Sequence, residues 1–401
     1  MQNRPVTFLC LASYFKGAAF MQELKRQGCR VLLLTESRLE GENWPRESID
    51  EFFMMPALKQ PDITNAVSYL ARERHIDRIV ALDDYDVETA AALREHLRSP
   101  GMGDTTARYF RDKLAMRVQA QDHGLPVPQF VHVLNYDDIR EFMRRVPPPW
   151  MLKPRSEAGA VGIKKVEHEA DLWATLALLG DRQSHYLMEA YVPGDVFHVD
   201  SIIYDRKMLY QIAHRYGEPP MKVSHLGGIF TTRTMSAARE GPLVKKLKEL
   251  NEKVVETMGM VRGVTHAEFI RGHDGTVYFL ELAARVGGAH IDRLVEAASG
   301  INLWAEWARL ELAYLRGESY QVPTHRLDYA GMALCLARQE WPDLSGYTDP
   351  EIVHRIVQRH HAGLIVCSHE YDRVEELLEN YLPRFAYDFL SVMPPSEKPG
   401  G

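Results

Sequence analysis

Cysteines and long apolar runs are scarce in this sequence. Four of the 401 residues are cysteines (Cys10, Cys29, Cys335 and Cys367), and none belongs to a C-x-x-C pair. This usage disfavours a zinc site and a disulfide framework, and it favours free thiols in a reducing cytoplasm. Since no run of about 18 apolar residues occurs and no small-residue cleavage site follows the first apolar stretch, we expect neither a transmembrane helix nor a signal peptide.

The sequence also lacks an excess of basic residues. Its 48 Lys and Arg against 55 Asp and Glu give a net charge of -7, which disfavours non-specific nucleic-acid binding. The hydrophobic fraction of 45% and the charged fraction of 26% are ordinary for a globular protein and exclude disordered, collagen-like and membrane-embedded classes. We therefore expect two to four globular domains and neither a nucleic-acid nor a membrane partner.

Two familiar phosphate-binding motifs are missing. The pattern G-x-x-x-x-G-K-[ST] does not occur, and the first strand–helix turn, residues 12–17, is not G-x-G-x-x-G. The first 100 residues nevertheless alternate apolar runs at 6–12, 30–35 and 78–82 with helical patterns at 17–28, 62–75 and 87–97. This rhythm predicts a parallel, doubly wound α/β sheet.

The pattern changes along the rest of the chain. A helix is predicted at 105–123, and short strands with Gly or Asp turns continue from 150 to 284, broken by helices at 169–179 and 242–258. These features predict an antiparallel sheet with packed helices. A helical segment at 291–315 precedes a small α/β cap with strands at 329–337 and 363–368 and a helix at 373–381.

One predicted hairpin carries two glutamates. If its turn centres on Asp274-Gly275, Glu268 pairs directly with Glu281. Like charges in that position are destabilising unless one is protonated or a cation lies between them, and carboxylates of this kind suit Mg²⁺. An exposed hairpin with two solvated glutamates is the alternative. The segment that follows favours function, because Arg285 offers a fixed cation and Gly287 and Gly288 allow close backbone approach to an anion.

A second motif combines a lysine with a small-residue loop. Lys153 ends an apolar strand, and residues 156–163 contain Ser156, Gly159 and Gly162, whose backbone N–H groups could approach phosphates. A plain hairpin turn is the alternative. Upstream, Lys113 and Arg117 share a helix face, on which we expect Arg117 to be solvated. Downstream, the strand at 186–192 ends in a turn and could border a purine with its backbone amides.

Together these motifs resemble the ATP-grasp superfamily, and in particular its carboxylate–amine (amino-acid) ligases. They occur in the family's order over most of the chain: Lys113, Lys153 with the glycine loop, residues 188–191, Glu268, and Glu281 with Arg285 to Gly288. The resemblance implies a Rossmann-like pre-ATP-grasp domain at 1–103, a linker helix and lid subdomain at 104–192, an α+β catalytic subdomain at 193–320 and a C-terminal α/β cap at 321–401.

The resemblance also implies roles for single residues. Lys113 and Lys153 would contact the nucleotide phosphates, and Ser156, Gly159 and Gly162 would form the lid loop. Glu189, Ala190, Tyr191 and Val192 would hold the adenine, partly through backbone atoms. Glu268 and Glu281 would bind Mg²⁺ or Mn²⁺. Arg285 would hold the γ-phosphate or an acyl-phosphate, and Gly287 and Gly288 would border the acceptor carboxylate.

Two positions depart from the family pattern. Ala283 stands where members often carry a second metal-binding Asn, and Val196 stands where many carry a glutamate for the ribose. By the hairpin pairing His266 lies opposite Ala283, although a structural histidine is the simpler interpretation. Asp195 could reach the ribose instead.

The activity implied is ATP- and Mg²⁺-dependent activation of a small carboxylate as an acyl-phosphate, followed by attack of an amine. Two alternatives stay open: a biotin-carboxylase-like enzyme that activates bicarbonate, and an ATP-binding sensor without turnover. His198, Asp200, His225 and His290 could face the acceptor, and residues 224–229 could form a second loop beside it. For each of these an ordinary structural role is the alternative. A homodimer is left open.

Overall fold

The computed structural model describes residues 4–392. Its strands are β1 Thr7–Ala12, β2 Arg30–Glu36, β3 Glu51–Met55, β4 Arg78–Ala81, β5 Phe130–His132, β6 Trp150–Pro154, β7 Lys164–Val166, β8 Tyr186–Ala190, β9 Gly194–Tyr204, β10 Lys207–Tyr216, β11 Phe230–Thr234, β12 Gly263–Gly272, β13 Val277–Ala283, β14 Tyr329–Leu336, β15 Ile352–Gln358 and β16 His361–Ser368. Its helices are α1 Ala18–Arg26, α2 Asp62–Leu70, α3 Val87–Leu97, α4 Asp104–Ala107, α5 Lys113–Asp122, α6 Tyr136–Arg145, α7 Glu169–Leu179, α8 Pro220–Leu226, α9 Ala237–Thr257, α10 Ile291–Ser299, α11 Leu303–Arg316 and α12 Tyr371–Asp388. None of the helices in this part of the chain is long and apolar enough to cross a membrane.

The N-terminal unit is the predicted parallel sheet. Its strand order is β3-β2-β1-β4, and every pairing is parallel. All six residues of β1 are buried, as expected for a strand covered by helices on both faces. The edge strand β3 was not predicted, although residues 52–55 form a short apolar run; most of its residues are only half-buried.

The central sheet has eight strands in the order β13-β12-β9-β10-β11-β14-β16-β15, and all its pairings are antiparallel. The strands predicted for the cap belong to it, because β14 pairs with β11, with Thr232 opposite Met332. The cap strands therefore extend the central sheet and do not form a sheet of their own. The predicted domain boundaries remain a prediction.

A smaller antiparallel sheet, β5-β8-β6-β7, spans residues 130–190. It packs on α6 and α7 through an apolar cluster that includes Phe142, Leu152 and Leu172. The strand at 150–154 and the helix at 169–179 match the sequence prediction. Lys153 and Glu189 lie on strands β6 and β8 of this sheet, and the glycine loop connects β6 to β7.

Two predicted helices are broken in the structure. The helix expected at 105–123 stops before Asp112, whose carboxylate accepts hydrogen bonds from the N–H groups of Leu114 and Ala115 and caps α5. The helix expected at 291–315 is divided into α10 and α11 by Gly300, which has a φ of +79°. The first break places Lys113 at the start of α5 instead of in the middle of a long helix.

Candidate active site

The two glutamates of the hairpin pair as predicted, but not through the predicted turn. Glu268 lies opposite Glu281 and His266 lies opposite Ala283. The turn is a three-residue loop, residues 273–275, since Gly272 pairs with Thr276 through a backbone hydrogen bond of 2.9 Å. A bulge between Glu268 and Phe269 then shifts the register back by one residue. The direct pairing therefore depends on this bulge.

Both glutamates are partly exposed on one face of the β12–β13 pair. Although the neighbouring strands are largely buried, 26% of the Glu268 side chain and 29% of the Glu281 side chain are exposed. Glu281 Oε1 accepts a hydrogen bond of 2.8 Å from Lys113 Nζ, and the Tyr216 hydroxyl donates one of 2.9 Å to Glu268 Oε1. Two partly exposed carboxylates paired across adjacent strands are a suitable donor set for a hard divalent cation, so the residues present fit Mg²⁺.

A buried cluster of polar side chains lies beneath Glu268. Asp200 Oδ1 is 2.9 Å from His266 Nδ1, and its Oδ2 is 2.8 Å from His198 Nδ1. His198 Nε2 in turn lies 2.8 Å from the Thr232 hydroxyl. The ring of His214 stacks on that of His198 at 4.6 Å. These contacts fix the strand face that carries Glu268.

The cluster also offers a second group of metal-ligand type. Ligand atoms of His198, Asp200 and His214 lie within 4.8 Å of one another, all buried. Both carboxylate oxygens of Asp200 are already hydrogen-bonded to histidines. The group is therefore better explained as a hydrogen-bonded support for the site than as a metal centre.

The charged neighbours in this cluster shift one another's pKa values. Burial alone would lower the pKa of His266, but Asp200 and Glu268 outweigh it and raise that pKa to about 9. Burial would raise the pKa of Glu268, and the hydrogen bonds and charge of His266 and Tyr216 lower it. Burial lowers the pKa of His198, with partial compensation by Asp200. His266 is therefore a cation beside Glu268 at neutral pH.

Lys153 and Glu189 meet in a buried ion cluster. The Lys153 ammonium forms an ion pair with Glu189 Oε1, and Arg117 Nε donates a 3.0 Å hydrogen bond to Glu189 Oε2. Arg117 Nη1 donates a second bond of 2.6 Å to the Leu280 carbonyl, and none of the Arg117 side chain is exposed. The prediction of a solvated Arg117 is wrong, because this arginine joins α5 to both β8 and β13.

The segment predicted to border a purine continues from Glu189. The N–H groups of Ala190 and Tyr191 bond to the carbonyls of Gln129 and Pro149 at 2.8 and 3.2 Å. The Val192 N–H has no acceptor among the described residues. The Glu189 side chain is held in the ion cluster, so only backbone groups and apolar side chains of 190–192 are available to a base.

The glycine loop lies over the site and touches three segments. Lys113 Nζ donates a 2.6 Å bond to the Glu157 carbonyl, and the Tyr85 hydroxyl donates a 3.0 Å bond to Glu157 Oε2. The His225 ring lies 3.3 Å from the Ala160 carbonyl. Gly159 and Gly162 have φ values of +66° and +69°, and a Cβ at Gly162 would lie 2.9 Å from the Pro154 ring. The residue types at these positions are therefore required by the backbone path of the loop.

Arg285 is held by the N-terminal unit. Its Nε donates a 2.7 Å hydrogen bond to Asp84 Oδ2, and its Nη1 donates one of 2.7 Å to the Val286 carbonyl. Burial would raise the pKa of Asp84, but the charges of Arg285 and Arg111 lower it to about 2. A Cβ at Gly287 would lie 3.0 Å from His266 Nδ1, whereas Gly288 has open space around it.

Sequence reasoning missed Asp84, Tyr85 and Tyr216. The two acidic residues at 83–84 follow the carboxyl end of β4, and ligands of open α/β sheets bind beyond the carboxyl ends of strands. That position was a usable signal for Asp84. Nothing in the sequence marked Tyr216, since its contact with Glu268 depends on pairing between strands far apart in the chain.

Other predicted residues lie elsewhere. The carboxylate of Asp195 bonds to Arg215 at 3.0 Å and to Arg271 at 2.8 Å, and strand alternation places it on the face opposite His198. Asp195 is therefore not brought to the site. Residues 224–226 are the end of α8, so the second loop is shorter than predicted. His290 lies near His354, and burial, aided by that neighbour, lowers its pKa to about 4.

Comparison with known proteins agrees with this geometry. Residues 118–290 match the model of the ATP-grasp domain. The chain is 29% identical over 235 residues to the L-arginine-specific L-amino acid ligase of Bacillus subtilis, which covers 57% of this chain and 56% of that protein. It is 30% identical over 109 residues to the D-alanine–D-alanine ligase of Ralstonia pickettii, or 27% of this chain and 33% of that one. The chain thus aligns with about half of the first relative and a third of the second.

Two solved structures share the fold over nearly the whole chain. The L-amino acid ligase of Bacillus licheniformis superposes with a TM-score of 0.74 at 19% identity, covering 98% of this chain and 100% of that one. The N5-carboxyaminoimidazole synthetase of Staphylococcus aureus gives 0.71 at 16% identity, covering 94% and 97%. Residues 118–290 are therefore similar to the ATP-grasp domain, and the two solved ligases share the fold of this chain.

Proposed function

We propose that the protein is an ATP- and Mg²⁺-dependent ligase that joins a small carboxylate to an amine and releases ADP and phosphate. The observation that carries the proposal is the cross-strand pair Glu268 and Glu281, with Lys113 bonded both to Glu281 and to the glycine loop. Two carboxylates, lysines and an arginine around one cleft supply the charge neutralisation that phosphoryl transfer requires.

The nucleotide would lie between the small sheet and the central sheet. Lys113 and Lys153 would bind its phosphates, Ser156, Gly159 and Gly162 would cover them, and the Val192 N–H would donate to the base. Lys153 has 14% of its side chain exposed, so it can turn from Glu189 toward a phosphate. Mg²⁺ bound by Glu268 and Glu281 would neutralise charge on the phosphates.

The acid would lie near Arg285 and Gly287. One of its carboxylate oxygens attacks the γ-phosphorus, the bond to the β–γ bridging oxygen breaks, and ADP leaves. The amine then attacks the acyl carbon, phosphate leaves, and the amine proton passes to solvent or phosphate. The glycine loop would exclude water from the acyl-phosphate, which hydrolyses readily. His266 Nδ1 lies 2.9 Å from Asp200 Oδ1 and its Nε2 lies 3.7 Å from Glu268 Oε1, so both ring nitrogens face carboxylates.

The relatives indicate which acids to test. Both aligned curated relatives are named as ligases of amino acids, so we propose an amino acid as the carboxylate substrate. The four cysteines have no disulfide partner in the part of the chain that the structure describes. The proposed location is the cytoplasm.

The experiment is a measurement of ADP release from Mg-ATP with and without pooled amino acids and small carboxylic acids. We expect acid-dependent release that Lys153→Ala abolishes and that Lys207→Ala, which removes an exposed lysine, retains. Release with bicarbonate alone would indicate a bicarbonate-activating enzyme. Tight ATP binding without turnover in any acid would contradict the ligase proposal and leave a sensor.

A further inference from the structure

A cavity of about 300 Å³ lies between the N-terminal sheet and the central domain. None of the residues assigned above to the active site lines it. Its walls come from β4, from α3 and the loop after it, from the turn at 259–262 and from α11. Its volume is at the lower end of the range found for small-molecule sites.

Three arginines and one glutamate line this cavity. Arg78 Nη2 lies 2.7 Å from Glu311, and Arg262 Nε lies 3.2 Å from the same carboxylate. Arg94 donates 2.9 Å hydrogen bonds from Nε and Nη1 to the carbonyls of Met102 and Ile79. All four charged side chains are buried or nearly so. Among the residues that line the cavity, three arginines therefore accompany one carboxylate.

Several donors in this cavity have no acceptor. Within residues 4–392, no protein acceptor bonds to Arg94 Nη2 or to the Nη1 and Nη2 of Arg262. The Arg78 Nε–H and the Trp307 Nε1–H are buried and also lack a partner. Burial and the two neighbouring arginines lower the pKa of Arg94 to about 10. Buried donors and unbalanced positive charge are costly unless an anion accepts from them.

We propose that this cavity binds a small anion carrying a carboxylate or phosphate group. The planar guanidinium group of Arg262 would bind it as a fork through Nη1 and Nη2, and Arg94 would add a hydrogen bond from Nη2. Met102 and Met260 would contact its apolar body. Arg94 belongs to the N-terminal unit and Arg262 to the central domain. The anion would therefore bridge the two units and stabilise the folded protein.

The test is calorimetric titration and thermal unfolding of the full chain with sodium succinate and, separately, with orthophosphate at constant ionic strength. We expect saturable binding of at least one probe and a rise in melting temperature. Arg262→Met should weaken binding at least tenfold, while Arg144→Met, which removes a surface arginine 74% exposed, should leave it unchanged. If Arg262→Met does not fold, Arg262→Lys keeps the charge beside Glu311 and should still weaken binding, because the fork is lost.

Orthophosphate could also bind at the proposed nucleotide site, so Lys153→Ala is included. Binding that persists in Lys153→Ala and weakens in Arg262→Met supports the cavity. Binding that disappears in Lys153→Ala and persists in Arg262→Met overturns the proposal, as does the absence of saturable binding of both probes. These outcomes do not depend on whether the protein is a ligase.

Discussion

Replacing Glu189 by glutamine tests the buried ion cluster behind the proposed nucleotide site. In the wild type one carboxylate serves two cations, Arg117 at 3.0 Å and Lys153. The glutamine keeps the shape but removes the only negative charge of the cluster. Arg117 is fully buried and cannot reach water, whereas Lys153 is 14% exposed and can.

Removing one partner of a buried ion pair typically costs about 3–5 kcal/mol, because the other charge is left uncompensated. We expect a loss of this size in the free energy of unfolding of Glu189→Gln. The double variant Glu189→Gln/Arg117→Met removes the stranded charge as well, so it should be more stable than Glu189→Gln alone. Lys153→Met alone should lower the free energy of unfolding by less than Glu189→Gln does, since the Glu189 carboxylate still pairs with Arg117.

The assay is urea unfolding followed by tryptophan fluorescence, with Arg144→Met as the surface control. A double variant that is no more stable than Glu189→Gln would refute the reasoning, because it would show that Arg117 does not carry an uncompensated charge. A loss below about 1 kcal/mol in Glu189→Gln would refute it too, since that is the range of surface substitutions.

Three further predictions concern Asp86 in the N-terminal unit and two residues of the proposed active site, Glu281 and Gly287. Burial, opposed by hydrogen bonds from Ser13, raises the pKa of Asp86 from its ordinary value of 3.8 to about 7, so this group's contribution to stability is full below about pH 4 and lost as the pH rises toward 7. The free energy of unfolding of Asp86→Asn should therefore rise relative to that of the wild type between about pH 5 and 8, by at most roughly 1.4 kcal/mol per pH unit up to pH 7. The same difference between the two urea midpoints at both pH values would contradict this. Glu281→Gln should raise the Mg²⁺ concentration for half-maximal ADP release roughly tenfold or more, and an unchanged Mg²⁺ requirement would count against a metal at this residue. Gly287→Ala places a Cβ 2.8 Å from Ile291 Cγ2 and 3.0 Å from His266 Nδ1, so the loop must shift and kcat/KM for the acid should fall roughly tenfold or more. Unaltered kinetics would show that the loop is not close to the acid.

Local patterns carried most of the correct predictions. Buried parallel strands are continuous apolar runs, so β1, β2 and β4 could be predicted from the sequence. The edge strand β3 also has a short apolar run, at residues 52–55, and was missed. A helix break that depends on one capping side chain is harder to predict from the sequence. Asp112 forms such a cap, and a helical pattern runs through it.

The pairing of Glu268 with Glu281 was predicted correctly for an incomplete reason. The two-residue turn assumed for Asp274-Gly275 is a three-residue loop, and the bulge after Glu268 compensates for the difference. Bulges reflect twist and packing of the whole sheet, and short-range sequence signals do not specify them. The agreement therefore came from two deviations that cancel.

By itself, the sequence determined which chemical groups this protein has and in what order they occur. Lysines, glycines, glutamates and an arginine follow one another at spacings from which strands, turns and helices build the proposed nucleotide site. Only the tertiary structure decided which charges meet. Glu189 holds Arg117, which the sequence pattern placed on a solvated helix face. Arg285 reaches Asp84 across 201 residues of chain, and Arg78 and Arg262 share Glu311 beside a distant cavity. The physical reason is that hydrogen bonds and periodicity act between near neighbours, whereas burial of charge is settled when separate units pack together.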